Sequence, residues 1–345
     1  MRYPAFLPEH GTIGFVAPSF GCATEPYRSA FDHALQRFGE MGYRTLLGPN
    51  CYRSDGCGIS TSPEKCGEEL NLSYASSDSD VLISCGGGEL MCETVPYIDF
   101  SRIAGSRPKW YMGFSDNTNF TFLSATLSDT AAIYGPCASA FGMEPWHESV
   151  ADAFDLLCGK RRSVHGYTHW QLESRKDENN PLAPYVPLEK TRFRRFDANG
   201  NKTDRVRLRG RLLGGCMDCL SVLAGTEFDR VRAFNSRYRA DGILWFLEAC
   251  DLNVFSMRRV LWQMAHAGWF EAASGFLIGR PMHFGEEIMG LDQYEAVLEV
   301  LRPFRVPILL DLDIGHLPPM MPVITGALAD CLCRGNRIEI RYPEL

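Results

Sequence analysis

Short apolar runs alternate with amphipathic stretches through the first 158 residues, and this alternation constrains the fold more than any other feature of the chain. GTIGFVA (11–17) is a β-type run stopped by Pro18, and Tyr27 to Met41 has helical periodicity ending at Gly42. YRTLL (43–47) reads as a strand, and Pro63 opens a helix running to about Ser76. DVLISC (80–85) leads into Gly86, Gly87 and Gly88. WYMGF (110–114) and AAIYG (131–135) are two further strands, followed by a helix from Trp146 to Cys158. Strands spaced by helices form a parallel sheet covered on both faces, which is an α/β fold. Such sheets bind ligands at the carboxyl ends of their strands. The glycine turn and Ser115 both fall at such ends.

At 345 residues the chain suggests two domains or one large one. Its 45% hydrophobic and 22% charged residues describe an ordinary globular protein with a sizeable core. A net charge of −7 suggests neither a nucleic-acid polymer nor an anionic membrane as partner. The first residues lack the basic and apolar regions of a signal peptide. No apolar stretch approaches the roughly 18 residues that span a bilayer. The expectation is a cytoplasmic protein whose thirteen cysteines are reduced thiols. Cys216 and Cys219 form a CxxC, and Cys331 and Cys333 a CxC, either of which could serve zinc. LLGGCMDCLSVL reads instead as the first turn of a buried helix, where cysteines act as small hydrophobes. No metal and no cofactor are expected.

The alternation fixes an N-terminal domain over 1–164. Residues 165–208 then read as a basic connecting segment with some extended structure, rich in proline (Pro181, Pro184, Pro187). Its run of Lys190, Arg192, Arg194 and Arg195 is either a solvated face or the lining of an anionic-substrate cleft. Trp170, Tyr185 and Phe193 either pack locally or stack on a base. A second, smaller mixed α/β domain follows over 209–345. There LLGG (212–215) enters a helix from Cys216 to Ala224, and ILWFLEAC (243–250) is an apolar strand that ends on Glu248. Asn253 to Ala267 is helical, GFLIG (275–279) a strand, and Gln293 to Leu301 a helix. PILLDLDIGH (307–316) is a strand and loop carrying His316, and PVITGALADCLC and RIEIRY close with strand character.

Chemistry concentrates in KWYMGFSDNTNF, where an apolar run ends at Gly113 and Phe114 and a helix-compatible run follows from Thr118 to Leu127. A sharp strand-to-helix turn lifts one hydroxyl above the sheet and sets backbone N–H groups at a helix start, where negative charge is favoured. Asn117 stands where G-x-S-x-G needs its second glycine. A serine in this position is ordinarily an N-cap. A nucleophilic hydroxyl needs a base, and the base needs an orienting partner. His316 is framed by Gly315, Pro318 and Pro319. By contrast His33 and His266 lie on helices, and His10, His147, His165, His169 and His283 lack comparable framing. Glu248 is the best carboxylate, because a charge closing an Ile, Leu, Trp and Phe run is costly without a partner. The residue types thus offer Ser115, His316 and Glu248 as a triad, beside the alternative of a non-catalytic small-molecule binding protein. A class I glutamine amidotransferase would need a cysteine at the elbow. The glycine turn has neither the G-x-G-x-x-G nor the Walker pattern.

The order of GFVAPS (14–19), LISCGGGE, GFSDNT (113–118), LLGGCMDCL, LWFLEACD (244–251) and DIGHLPP (313–319) resembles the LD-carboxypeptidase family of serine peptidases, which includes the microcin-immunity peptidases. The resemblance spans about residues 11–340. It implies an N-terminal flavodoxin-like or Rossmann-like domain, a C-terminal swivelling β-rich domain, and often a homodimer. By match to those motifs, Ser115 would be the nucleophile, His316 the general base and acid, and Glu248 the orienting carboxylate. The oxyanion hole would be the backbone N–H of Asp116 with that of Gly87 in the Gly86–Gly88 turn. The implied reaction is cleavage of an amide beside a terminal D-amino acid or similar small acyl conjugate. Relatives that recycle peptidoglycan carry an Arg-Gly-Gly-Tyr-Gly type turn, whereas this chain has Cys85, Gly86, Gly87, Gly88 and Glu89. With the long insert, that departure leans toward the microcin-immunity branch, whose substrates are peptidyl or aminoacyl nucleotides.

Overall fold

The computed structural model describes all 345 residues. The chain forms two units, Met1–Arg161 with Glu173–Val186, and Arg162–Leu172 with Pro187–Leu345. No helix is long and apolar enough to cross a membrane.

In the first unit the elements run β1 (Thr12–Val16), α1 (Tyr27–Glu40), β2 (Arg44–Leu47), α2 (Pro63–Ala75), β3 (Val81–Ser84), β4 (Trp110–Gly113), α3 (Thr118–Ser128), β5 (Ala132–Tyr134) and α4 (Glu148–Leu157). Within the unit the strands pair in parallel in the order β2-β1-β3-β4-β5. This is the flavodoxin-like order, with its switch point between β1 and β3. β1, β3 and β4 are buried along their whole length, as parallel strands covered on both faces must be. α1 buries Ala30, Phe31, Ala34 and Phe38 on one stripe. Phe31 meets Phe15 of β1 edge-on at 5.2 Å. Truncating either phenylalanine of that stripe to Ala would cost roughly 3–5 kcal/mol. The buried carboxylate of Glu69, on α2, accepts the N–H groups of Ala17 (2.8 Å) and Asn50 (2.9 Å), which fixes the loops after β1 and β2.

The second unit is an eight-stranded mixed sheet. Its elements are β6 (Ser163–His165), β7 (Arg194–Phe196), β8 (Arg205–Cys216), α5 (Met217–Leu223), β9 (Ile243–Glu248), α6 (Val254–His266), β10 (Ala273–Gly279), α7 (Gln293–Leu301), β11 (Ile308–Leu312), β12 (Leu328–Arg334) and β13 (Arg337–Arg341). The sheet order is β6-β13-β12-β8-β9-β10-β11-β7. The four strands from β8 to β11 are parallel, and antiparallel strands flank them. Ile243–Glu248 is fully buried, which explains its near-continuous apolar sequence.

Residues 165–208 hold more order than their composition suggests. Arg194–Phe196 closes one edge of the sheet against Ile308–Leu310, and β8 starts inside the segment at Arg205. A three-residue strand such as Arg194–Phe196 leaves no window in which alternation can show, and its partner lies more than a hundred residues away.

Candidate active site

The strand-to-helix turn expected at Ser115 is present. Phe114 is extended, residues Ser115–Asn117 make one 3₁₀ turn, and α3 follows. Ser115 has φ +63°, the left-handed region that costs a residue with a Cβ about 1–2 kcal/mol. Such strain persists only where surroundings impose it, and it clusters at functional sites. The surroundings are specific here. Ser115 N–H donates to the Tyr134 hydroxyl at 3.2 Å, and the Asn117 amide donates to Gly86 O at 2.7 Å and Phe114 O at 3.1 Å. A Cβ added at Gly87 would stand 3.2 Å from Ser115 Cβ and 3.3 Å from its Oγ. The glycine turn therefore lies directly against the serine side chain.

The Asp116 side chain, for which the motif suggested no role, is itself a structural tie. Its carboxylate accepts Ser19 Oγ–H (2.6 Å), Met91 N–H (2.9 Å) and the Asn119 amide (3.0 Å). Phe20 N–H in turn donates to Gly87 O at 2.7 Å. One buried carboxylate thereby ties the loop after β1 and the chain after the glycine turn to the elbow. Burial pushes its pKa up, against the donors from Ser19 and Met91. The sequence signal was an acidic residue immediately after the elbow serine.

In the second unit, β9 delivers Glu248, which has no exposed surface, to the His316 ring. His316 Nδ1 lies 2.9 Å from Glu248 Oε2. A proton on Nδ1 leaves Nε2 as the acceptor nitrogen. Burial alone would lower this imidazole's pKa; the Glu248 carboxylate, with the neighbouring Cys250 thiol, overrides it and raises the pKa well above the ordinary histidine value. Asp218, hidden in the CxxC motif, fixes the turn after Glu248 by accepting Cys250 N–H (3.0 Å) and Asp251 N–H (2.9 Å).

Gly315 is the residue that admits this carboxylate. Its φ is +108°, and a Cβ there would stand 2.6 Å from Glu248 Oε2. We expect Gly315→Ala to fold with a lowered melting temperature, since overpacking costs about 1–3 kcal/mol. It should also lose the low-field NMR resonance of a carboxylate-bound His316 Nδ1–H. Retention of that resonance at full stability would show that the loop absorbs the added carbon.

Other histidines have structural partners: His33 Nδ1 meets Gly142 O at 2.9 Å, and His147 caps α4 through Ser149 N–H. Cys216 packs in the turn into α5 with its thiol on Asp218, and no group of three His, Cys, Asp or Glu side chains is arranged to hold a metal ion. Lys190, Arg192, Arg194 and Arg195 line one cleft of the second unit together with Trp170 and Phe193. Tyr185 is instead in the first unit, beside His147 at 5.6 Å between ring centres. Arg195 is a structural pin, donating to Thr203 O, Phe193 O and Gly335 O.

A hydroxyl on a strained elbow and a part-buried histidine held by a buried carboxylate are parts that serine hydrolases use. Comparison with known proteins assigns the lineage. The LD-carboxypeptidase N-terminal domain matches residues 13–135 and the LD-carboxypeptidase C-terminal domain residues 209–331. The chain belongs to the LD-carboxypeptidase family. It is 25% identical over 336 residues to a putative carboxypeptidase of Vibrio cholerae, covering 94% of this chain and 93% of the relative. It is 22% identical over 332 residues to the murein tetrapeptide carboxypeptidase of Pseudomonas aeruginosa, covering 90% and 89%. Its fold matches the microcin C7 self-immunity protein MccF in the wild-type apo state, with a TM-score of 0.81 over 100% of both chains at 21% identity. An MccF-like protein from Streptococcus pneumoniae, in complex with AMP, matches with a TM-score of 0.76 over 96% and 99% at 20% identity.

Proposed function

We propose that the chain is a serine hydrolase that cleaves an amide bond beside a terminal D-amino acid or a similar small acyl conjugate. Ser115 Oγ attacks the carbonyl, and His316 Nε2 takes the hydroxyl proton and returns it to the leaving amine. Glu248 holds the tautomer and the imidazolium, the backbone N–H groups of Asp116 and Gly87 receive the oxyanion, and water then releases the acyl group. The 2.9 Å bond between His316 Nδ1 and the buried Glu248 carboxylate carries this reading, since it is the orienting contact a general base requires. The strained backbone of Ser115 against Gly87 supports it from the first unit.

A second reading is hydrolysis of peptidyl or aminoacyl nucleotides. It is favoured by the Cys85-Gly86-Gly87-Gly88-Glu89 turn and by fold neighbours described in complex with aspartyl sulfamoyl adenosine and glutamyl sulfamoyl guanosine. A fluorophosphonate probe is expected to label wild type at Ser115 and to leave Ser115→Ala unlabelled. Mass spectrometry after incubation with an LD-tetrapeptide and with aminoacyl-nucleotide conjugates then ranks the substrates. Absence of labelling, or turnover of neither class, would favour a non-catalytic binding protein.

A further inference from the structure

Two lysines of the first unit have lost much of their water, and they differ in what replaces it. Lys109, just before β4, is buried, and its ammonium donates to Ser73 O (2.9 Å), Ser76 O (2.7 Å) and Ser79 Oγ (3.1 Å). An ammonium has three donors, so Lys109 is satisfied and ties the end of α2 to the sheet. Lys176 is half-buried on the stretch Glu173–Val186, which belongs to the first unit. Its ammonium makes one hydrogen bond, to Ser139 O at a long 3.4 Å, and lies 5.4 Å over the Tyr27 ring. Burial pulls the pKa of both lysines down to about 8. At Lys176 no carboxylate opposes that pull, and the one influence acting the other way is the Cys22 thiol. Two donors of a partly desolvated cation therefore remain for water or a ligand, an arrangement that concentrates at functional sites.

The neighbours of Lys176 place it on the rim that carries the elbow. Ser139 lies in the loop after β5, close in sequence to Cys137. The Cys137 thiol accepts the Asn117 amide at 3.7 Å and meets the Phe114 backbone, so this loop packs on the residues that flank Ser115. Tyr27 opens α1, at the end of the loop from β1. In that loop the Cys22 thiol donates to Cys85 O at 3.4 Å, just before the glycine turn, and Phe20 N–H donates to Gly87 O at 2.7 Å. β3 and β4, which lead to the glycine turn and to Ser115, lie between β1 and β5 in the sheet. A side chain that touches both flanking loops stands at the carboxyl-end rim they enclose, where open parallel sheets take their ligands. Glu144 N–H donates to Leu182 O at 3.0 Å, which holds the stretch carrying Lys176 in place.

We propose that Lys176 is a specificity-determining residue of this site, receiving the free carboxylate of the amino acid next to the scissile amide. The inference rests on the hydrolase reading of Ser115, in which the terminal residue of the substrate carries that carboxylate. A carboxylate offers charged acceptors to the two remaining ammonium donors, and a charge-assisted bond of this kind is roughly twice as strong as a neutral one. Because Lys176 is already partly dehydrated, the fold rather than the binding step carries part of the cost of desolvating the pair. A carboxamide brings no charge and turns its own N–H donors toward the ammonium. The site therefore discriminates a free acid from its amide.

Calorimetric titration of the full chain with N-acetyl-D-alanine and with N-acetyl-D-alaninamide reads this subsite without any turnover. The acid should bind roughly tenfold or more tightly than the amide. Lys176→Met should bind the two alike, at the level of the amide, and Lys176→Arg should keep the preference for the acid. Lys176→Met should also melt close to wild type, because the side chain is half-buried and makes one long hydrogen bond. On an LD-tetrapeptide, Lys176→Met should raise KM more than it lowers kcat, the pattern of lost uniform binding. No binding of the acid at millimolar concentration, equal binding of acid and amide by wild type, or an undiminished preference in Lys176→Met would each overturn the proposal. The hydrolase reading fails separately. An acid preference that depends on Lys176, in a chain that turns over no peptide, keeps the subsite and removes the chemistry.

Discussion

Ser115→Ala is expected to lower kcat by roughly 10⁴ to 10⁶, and His316→Ala by a similar factor. The double variant should be little worse than either single one. A nucleophile and its base act as a unit, so removing one already forfeits what the other contributes. The residual rate would come from oxyanion donors and binding. A companion variant separates chemistry from fold. Ser115 holds φ +63°, and Ser115→Ala retains a Cβ in that strained region. Ser115→Gly relieves about 1–2 kcal/mol of left-handed strain, offset by roughly 0.5–1 kcal/mol of glycine's backbone entropy. Ser115→Gly should therefore be inactive yet melt at or slightly above Ser115→Ala. Substantial turnover by Ser115→Ala on any substrate of the wild type would remove Ser115 as nucleophile. A melting temperature for Ser115→Gly well below that of Ser115→Ala would show that contacts of the side chain, not backbone relief, dominate at the elbow.

Much of this architecture could be read in the residues, for identifiable reasons. Glu248 stood out because a carboxylate closing an apolar strand demands a partner, and His316 supplies it at 2.9 Å. The elbow stood out because Gly113 and Phe114 end one buried strand just where α3 begins. The flavodoxin-like order was implied by family resemblance, whereas alternation alone gave only a parallel sheet. What sequence could not show is mostly long-range. Asp116 was singled out only for its backbone N–H and Asp218 not at all, yet each carboxylate binds backbone N–H groups brought from distant chain, Met91 for one and Cys250 for the other. Arg194 and Arg195 read as members of one basic run, but they do different things. Arg194 faces Tyr294 and Asp311, whereas Arg195 is consumed by three carbonyls, the farthest on Gly335. Substituting both together would therefore confuse binding with folding.

Glu248→Gln should shift the acid limb of the kcat/KM profile toward lower pH as well as reduce activity. In the wild type, burial favours the neutral ring, but the Glu248 carboxylate raises the His316 pKa well above its ordinary value of about 6.5. A general base works only when unprotonated, so wild-type activity should rise with pH through that elevated value. Glutamine keeps the shape of glutamate and removes its charge. Burial then acts unopposed by the largest raising interaction, and the limb moves down. The deficit of the variant should thus be smallest at acid pH and grow toward alkaline pH. Loss of the orienting carboxylate in such triads costs up to about 10⁴ in kcat, less than loss of the nucleophile. Stability must follow the same linkage. A histidine whose pKa is higher folded than unfolded contributes fully below its unfolded value, about 6.5, and that contribution fades as pH rises through the folded one. Chemical denaturation at pH 6 should accordingly separate wild type from Glu248→Gln more than denaturation at alkaline pH. An unmoved acid limb would mean that Glu248 does not set the charge of the base. If the stability gap instead widened with pH, the 2.9 Å pair would be a packing contact rather than an ionic one.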